Sequence, residues 1–196
     1  MKQITTALGT AVLVGLAACG GSDTGDAPAS APGTTPAPAA APAGGGALTT
    51  PDWYEVDHSA QTVRVHLIAG QTPTANYWNF NGYINGQATV VVPEGYTVTL
   101  ELENRDPAMA HSVGVDRRTS GFPASFTSVE PVFAGAVTEN PTSQMESTLP
   151  GETESITFVA DAAGEYALVC YVPGHAAVGM WIHFHVSSSG DAGVRT

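Results

Sequence analysis

Cys170, His175 and Met180 recur with four residues between each, in Cys170-Tyr-Val-Pro-Gly-His175-Ala-Ala-Val-Gly-Met180. A thiolate and a thioether are soft donors, and an imidazole is intermediate. With a second imidazole from elsewhere, the set describes a type 1 copper site: two His and one Cys in a plane, with a weak axial Met. Zinc fits less well, because a structural zinc site takes four strong ligands and a thioether is not one of them. A second imidazole stands at His111, in Asn104-Arg-Asp-Pro-Ala-Met-Ala-His111-Ser112. Taken singly, the three loop residues read as a buried thiol, a turn histidine and a core methionine. Together, in one loop shaped by Pro173 and Gly174, they read as a ligand set. In that set Cys170 is expected to be the thiolate that dominates the electronic structure. His111 is expected on the interior side and His175 on the more exposed side. Small or apolar neighbours (Pro173, Ala176, Ala177, Val178) would surround His175 with a modest docking patch or with plain loop surface. Met180 is expected as the axial ligand that tunes the potential. Asn104 and Ser112 are expected either to tie the His111 and Cys170 segments together as outer hydrogen-bond partners or merely to cap turns.

Rapid one-electron exchange needs a frame that barely changes between Cu(I) and Cu(II), and strand ends supply one. Val63, Val65 and Leu67 alternate with Arg64, His66 and Ile68, the period of a strand with one apolar face. Residues 89–92, 97–103, 112–115, 155–159, 165–170 and 179–186 also read as short strands. Asn85-Gly86, Pro93-Glu-Gly95, Pro150-Gly151 and Asp161-Ala-Ala-Gly164 punctuate them as turns. With no convincing helical period, the fold class is all-β, a Greek-key β-sandwich. Residues 120–148, rich in Pro, Gly, Ser and Thr, predict a long packed excursion beside the metal site, with one short strand near 131–137.

The N-terminal quarter has a different texture. Lys2 and the apolar run Ala7 to Ala18 read as a signal peptide, residues 1–18. Leu16-Ala-Ala-Cys19 resembles the lipobox of bacterial lipoproteins, which makes Cys19 the expected lipid attachment. Residues 19–48, mostly Ala, Pro, Gly, Ser and Thr, predict a disordered tether. Residues 49–188 are the expected folded domain and 189–196 a flexible tail. With Cys19 lipidated, Cys170 is left unpaired in an oxidising compartment, where metal ligation would protect it. The chain carries −12 overall; without Lys2 the count is five arginines against 18 acids, a net −13. That balance excludes nucleic acid and electrostatic attachment to anionic lipid.

Phe80-Asn-Gly-Tyr-Ile-Asn-Gly86, Val92-Pro-Glu-Gly95, Asn104 through His111-Ser112, and Cys170-x4-His175-x4-Met180-Trp181 together resemble the sulfocyanins, blue copper proteins of the cupredoxin superfamily to which rusticyanin is related. The resemblance spans about residues 77–186. It implies a cupredoxin domain holding one copper ion on His111, Cys170, His175 and Met180. It also implies an electron carrier, not an enzyme, with redox partners such as a cytochrome c, a cytochrome complex or a terminal oxidase. The expected protein is a monomer, exported and lipid-anchored to the cell envelope.

Two other functions compete. A copper enzyme such as a nitrite reductase would need a second copper and a His-Cys-His run, which this chain lacks. A copper chaperone or sensor of the envelope would favour several Met or His ligands and an open position. His183 and His185 lie on one strand face with Trp181 and read as a solvent-facing pair more readily than as a second metal site. His58 and His66 read as surface residues, and Met109 as packing near the site.

Overall fold

The computed structural model describes residues 46–196. The expected signal peptide, Cys19 and the tether as far as residue 45 lie outside the described residues. From Thr49 onward the chain builds nine strands: β1 Tyr54–Asp57, β2 Thr62–Ala69, β3 Thr89–Pro93, β4 Thr97–Asn104, β5 Gly114–Arg117, β6 Thr153–Val159, β7 Gly164–Val169, β8 Trp181–Ser187 and β9 Gly193–Arg195. They form a four-stranded sheet in the order β1-β2-β4-β6 and a five-stranded sheet in the order β5-β7-β8-β3-β9. Both sheets are mixed. β2 runs parallel to β4 and β3 parallel to β8, while the other pairs are antiparallel. From β2 to β7 each successive strand lies in the opposite sheet, as the Greek-key expectation requires.

Side-chain alternation decides which face goes inward. In β4, Val98, Leu100, Leu102 and Asn104 are buried while Thr97, Thr99, Glu101 and Glu103 face outward. Leu67 and Leu100 from one sheet meet Leu168, Ile182 and Phe184 from the other in a single apolar core that also takes in Cys170 and Met180. The loop from Cys170 to Met180 therefore roots directly in the core. Strands that bury both faces, such as β3 with all five residues buried, cannot show that alternation in sequence.

The segment between β5 and β6 is a packed excursion, as expected, but it holds no strand near 131–137. It contributes two isolated bridges, Val137 to Gly114 and Thr148 to His111, and hydrogen bonds of Val132 and Ala136 with Val115. Phe126 packs edge-on to Tyr171 at 4.7 Å and Phe122 edge-on to Trp181 at 5.5 Å, so this segment covers the outer face of the five-stranded sheet near the Cys170 loop.

The C-terminus corrects an expectation. Residues 189–196 are not a free tail: β9 pairs antiparallel with β3, Val194 is fully buried, and Thr49 and Val194 exchange backbone hydrogen bonds of 2.9 and 2.8 Å. Three residues, Gly193-Val-Arg195, are too few to display a period, which is why the strand is silent in the sequence. β1 was silent for the same reason.

Candidate metal centre

Cys170 immediately follows β7 and Met180 immediately precedes β8, so the loop between them is the tight connection of two paired strands. Its ends are closed by backbone bonds from Cys170 N–H to Met180 O (3.1 Å) and from Met180 N–H to His175 O (3.0 Å). His175 N–H donates to Val172 O, and a single 3-10 turn over Ala176–Val178 completes the ring. Neighbouring segments pin it: Gly174 N–H donates to Ala124 O (2.7 Å), and Asn85 N–H donates to Gly179 O (2.8 Å). Gly179 sits at φ 109°, where a Cβ would collide with the Asn85 amide, so only glycine serves there. His111 comes from a different place, an isolated bridge to Thr148 between β4 and β5.

Three donor atoms converge. Cys170 Sγ lies 3.5 Å from His175 Nδ1 and 3.9 Å from His111 Nδ1, and the two Nδ1 atoms are 3.2 Å apart. The point equidistant from all three lies about 2.1 Å from each, within the roughly 2.0–2.3 Å of imidazole and thiolate bonds to a first-row ion such as zinc. All three residues are fully buried, and so is Met180 beside them. Among the described residues this is the convergent group of three His, Cys, Asp or Glu side chains. The donor set therefore fits a single soft or borderline ion.

Electrostatics agree with that fit. Burial pushes the Cys170 thiol up to about 11, against the pull of the Ser112 and Val172 backbone N–H groups. Burial, then the charge of His111, holds His175 down to about 3, although Asp106 opposes this. His111 is likewise held below its ordinary value by burial, opposed by its bond to Asp106. Empty of a cation, this cluster is one neutral thiol and two neutral imidazoles turned toward each other. A bound cation supplies the field that makes the thiol a thiolate.

Residues 51–193 match the Sulfocyanin (SoxE) domain family. The chain belongs to the sulfocyanin family. That family is one of blue copper electron-transfer proteins, and the match covers β1 to β8 and the first residue of β9. Among relatives, sulfocyanin of Sulfolobus acidocaldarius is 28% identical over 127 residues, an alignment covering 63% of this chain; the chain spans 62% of the length of that relative. Rusticyanin of Acidithiobacillus ferrooxidans is also 28% identical over 127 residues, covering 64% of this chain and 77% of that one. The 1.27 Å structure of rusticyanin from Thiobacillus ferrooxidans is similar with a TM-score of 0.49 at 25% identity, covering 69% of this chain and 87% of the other.

Within this sulfocyanin-family domain the four expected loop and strand-end residues lie together, but their surroundings differ from expectation in four ways. First, His175 is not the exposed histidine. It is fully buried because the Trp78 indole stacks on it, ring centres 4.0 Å apart and planes 20° from parallel. The small-residue patch is reduced to Pro173, Ala177 and Val178, since Ala176 points inward. Second, only Ser112 ties the His111 segment to the Cys170 segment: its Oγ accepts the Tyr171 N–H (2.9 Å) and lies 3.8 Å from Cys170 Sγ. Asn104 braces the His111 segment in another direction, donating to Met109 O (2.8 Å) and Thr148 O (2.9 Å). Third, Asp106, not singled out in sequence, reaches His111: Oδ2 lies 2.9 Å from Nε2. Fourth, His183 is not solvent-facing. It is buried, edge-on to Trp181 at 5.4 Å, and held below its ordinary pKa by burial and then by the Arg118 charge. His185 is partly buried and lies 2.7 Å from Glu165. His58 and His66 are at the surface as expected, bonded to Tyr96 and Glu103.

One signal could have exposed Asp106, and none pointed to Trp78. Asp106-Pro107 looked like an ordinary turn, yet an Asp in such a turn has a carboxylate free to cap whatever follows. Trp78 stood inside the aromatic run Tyr77-Trp-Asn-Phe80, which nothing in the sequence linked to residue 175, nearly one hundred positions away.

Proposed function

We propose that this protein is a one-electron carrier whose His111, Cys170, His175 and Met180 would hold a single type 1 copper ion, with the Met180 thioether as the weak donor. The observation that carries this reading is the buried triangle of Sγ and two Nδ1 atoms, whose edges of 3.2, 3.5 and 3.9 Å suit one ion and leave no room for a substrate. When bound, copper supplies the one-electron couple. The chain's own residues do the rest. Cys170 gives up its proton to become the thiolate, and the N–H groups of Ser112 and Val172 stabilise that charge. His111 keeps its proton on Nε2, toward Asp106, which leaves the Nδ1 lone pair pointing into the site. The loop bonds between Cys170, His175 and Met180 hold the donors in one geometry for both oxidation states, which keeps reorganisation small.

In this reading the protein is not an enzyme. It is exported, anchored to the envelope membrane through lipid on Cys19, and works as a monomer. It exchanges electrons with redox proteins such as a cytochrome c, a cytochrome complex or a terminal oxidase. The lipobox-like Leu16-Ala-Ala-Cys19, the spacer-like composition that follows and the acidic surface support that part. A chaperone or sensor role is disfavoured by the closure of the site, because handing copper on requires an open position.

The test is to load the full chain with Cu(II) and compare its visible and EPR spectra with those of Cys170→Ser. An intense thiolate-to-copper band with a narrow copper hyperfine splitting, lost in the variant, is expected. A weak tetragonal spectrum indifferent to the substitution would sink the proposal.

A further inference from the structure

Asp106 is buried, 3% exposed, at the end of β4. Its Oδ1 accepts the N–H groups of Ala108 (2.8 Å) and Met109 (3.0 Å), and its Oδ2 lies 2.9 Å from His111 Nε2, which carries the ring proton when the Nδ1 lone pair faces Cys170 and His175. Every partner of the side chain is a donor, so the group is matched to the ionised, acceptor-only carboxylate. Its backbone is fixed as well: Asp106 N–H donates to Asn104 Oδ1, and Gly70, at φ 73°, passes so close that a Cβ would meet Asp106 N at 2.7 Å. No arginine among the described residues pairs with it. Arg105, next to it in sequence, turns outward to Glu103 at 2.6 Å, and Arg64 and Arg118 pair with Glu101 and Glu165. Besides two backbone N–H groups, the Asp106 carboxylate meets one side chain among the described residues, the His111 imidazole.

Charge counting gives the consequence. A cupric ion with the Cys170 thiolate carries a net +1, and a cuprous ion with it carries none. Adding the carboxylate one imidazole ring away makes those totals zero and −1. In a low-dielectric interior the state that leaves uncompensated charge is the costly one. Resting on the copper reading above, we propose that Asp106 is a positioning residue that biases the site toward its oxidised state, lowering the reduction potential below that of the same ligand set with a neutral partner on His111. The electron balance is that of the carrier itself: one electron enters from the redox partner, copper is reduced, and no bond is made or broken.

Asp106→Asn is the direct test, because it keeps the size and an oxygen acceptor for His111 Nε2–H while removing the charge. The copper-loaded full chain and this variant would be titrated against redox mediators, following the thiolate-to-copper band. The Cu(I)/Cu(II) equilibrium is expected to shift toward Cu(I) by tenfold or more, a rise of at least about 59 mV for one electron. A smaller rise, no change or a fall overturns the proposal. Loss of packing alone would not move the potential in a fixed direction with the band intact. Should the variant fail to hold copper, the oxidised-minus-reduced infrared spectrum of the unmutated protein decides. A carboxylate stretch that moves with copper oxidation state is expected, and its absence overturns the proposal. Absence of the blue band from the unmutated chain defeats the copper reading itself, whereas a band in both proteins with equal potentials defeats only the role of Asp106.

Discussion

The two histidines of the centre present the same atom, Nδ1, to the same point, yet they are held by opposite means. His111 is clamped through hydrogen bonds: a buried carboxylate faces its Nε2, and its backbone N–H donates to Thr148 O, which Asn104 also holds. His175 is clamped by an aromatic face: Trp78 lies over the ring, and Nε2 is buried without a protein partner among the described residues. The first device fixes tautomer, orientation and charge together. The second fixes only the plane of the ring and its burial, and it gives Nε2 no protein partner among the described residues. The pair shows that burial alone does not make two imidazole ligands equivalent. One is tuned electrostatically and the other is shielded.

The difference can be broken from either side. Asp106→Ala removes acceptor and charge together and is expected to weaken copper binding by about 10–100-fold, measured by competition with a chelator. Trp78→Ala should act mainly on the fold and on solvent access. It is expected to cost about 2 kcal/mol of stability, less than a fully buried tryptophan because Trp78 is partly exposed. Chemical denaturation of the metal-free protein would measure that loss, and a larger effect on copper affinity than that of Asp106→Ala would reverse the comparison. Trp78→Phe keeps an aromatic face over His175 and should cost less than about 1.5 kcal/mol, with the copper spectrum preserved.

Acidity sharpens the same contrast. In the metal-free fold His175 is held down to about 3 from its ordinary 6.5, chiefly by burial and then by the charge of His111, and His111 is lowered by burial. The folded values lie below the unfolded ones, so between them the unfolded chain binds more protons. Stability of the metal-free protein is thus greatest above pH 6.5 and declines as pH falls from there toward about 3. Denaturation midpoints across that window should fall in the metal-free protein and fall less in the copper-loaded one. A flat profile without metal would show that the imidazoles are not buried as neutral groups.

Much of this was written locally. The donors of the Cys170–Met180 loop were legible because they share one short connection, and their softness names the metal class. The strands that alternate, β2 and β4 above all, were legible because one face meets the core and the other meets water. β9 was not, since its three residues gain their meaning only from pairing with β3, about one hundred positions earlier. Nor was the burial of His175: its loop neighbours Pro173, Ala177 and Val178 suggested an open edge, and the residue that closes it, Trp78, comes from the connection between β2 and β3.

The sequence by itself determined the all-β class, the ligand types and the spacing that lets Cys170, His175 and Met180 share one loop. These depend on periodicity and donor chemistry, which are properties of neighbouring residues. The tertiary structure alone decided which carboxylate reaches His111, which indole covers His175, and that Ser112 rather than Asn104 bridges to the thiol segment. Those are contacts between segments far apart in the chain, and chain closure in three dimensions, not local pattern, sets which atoms meet.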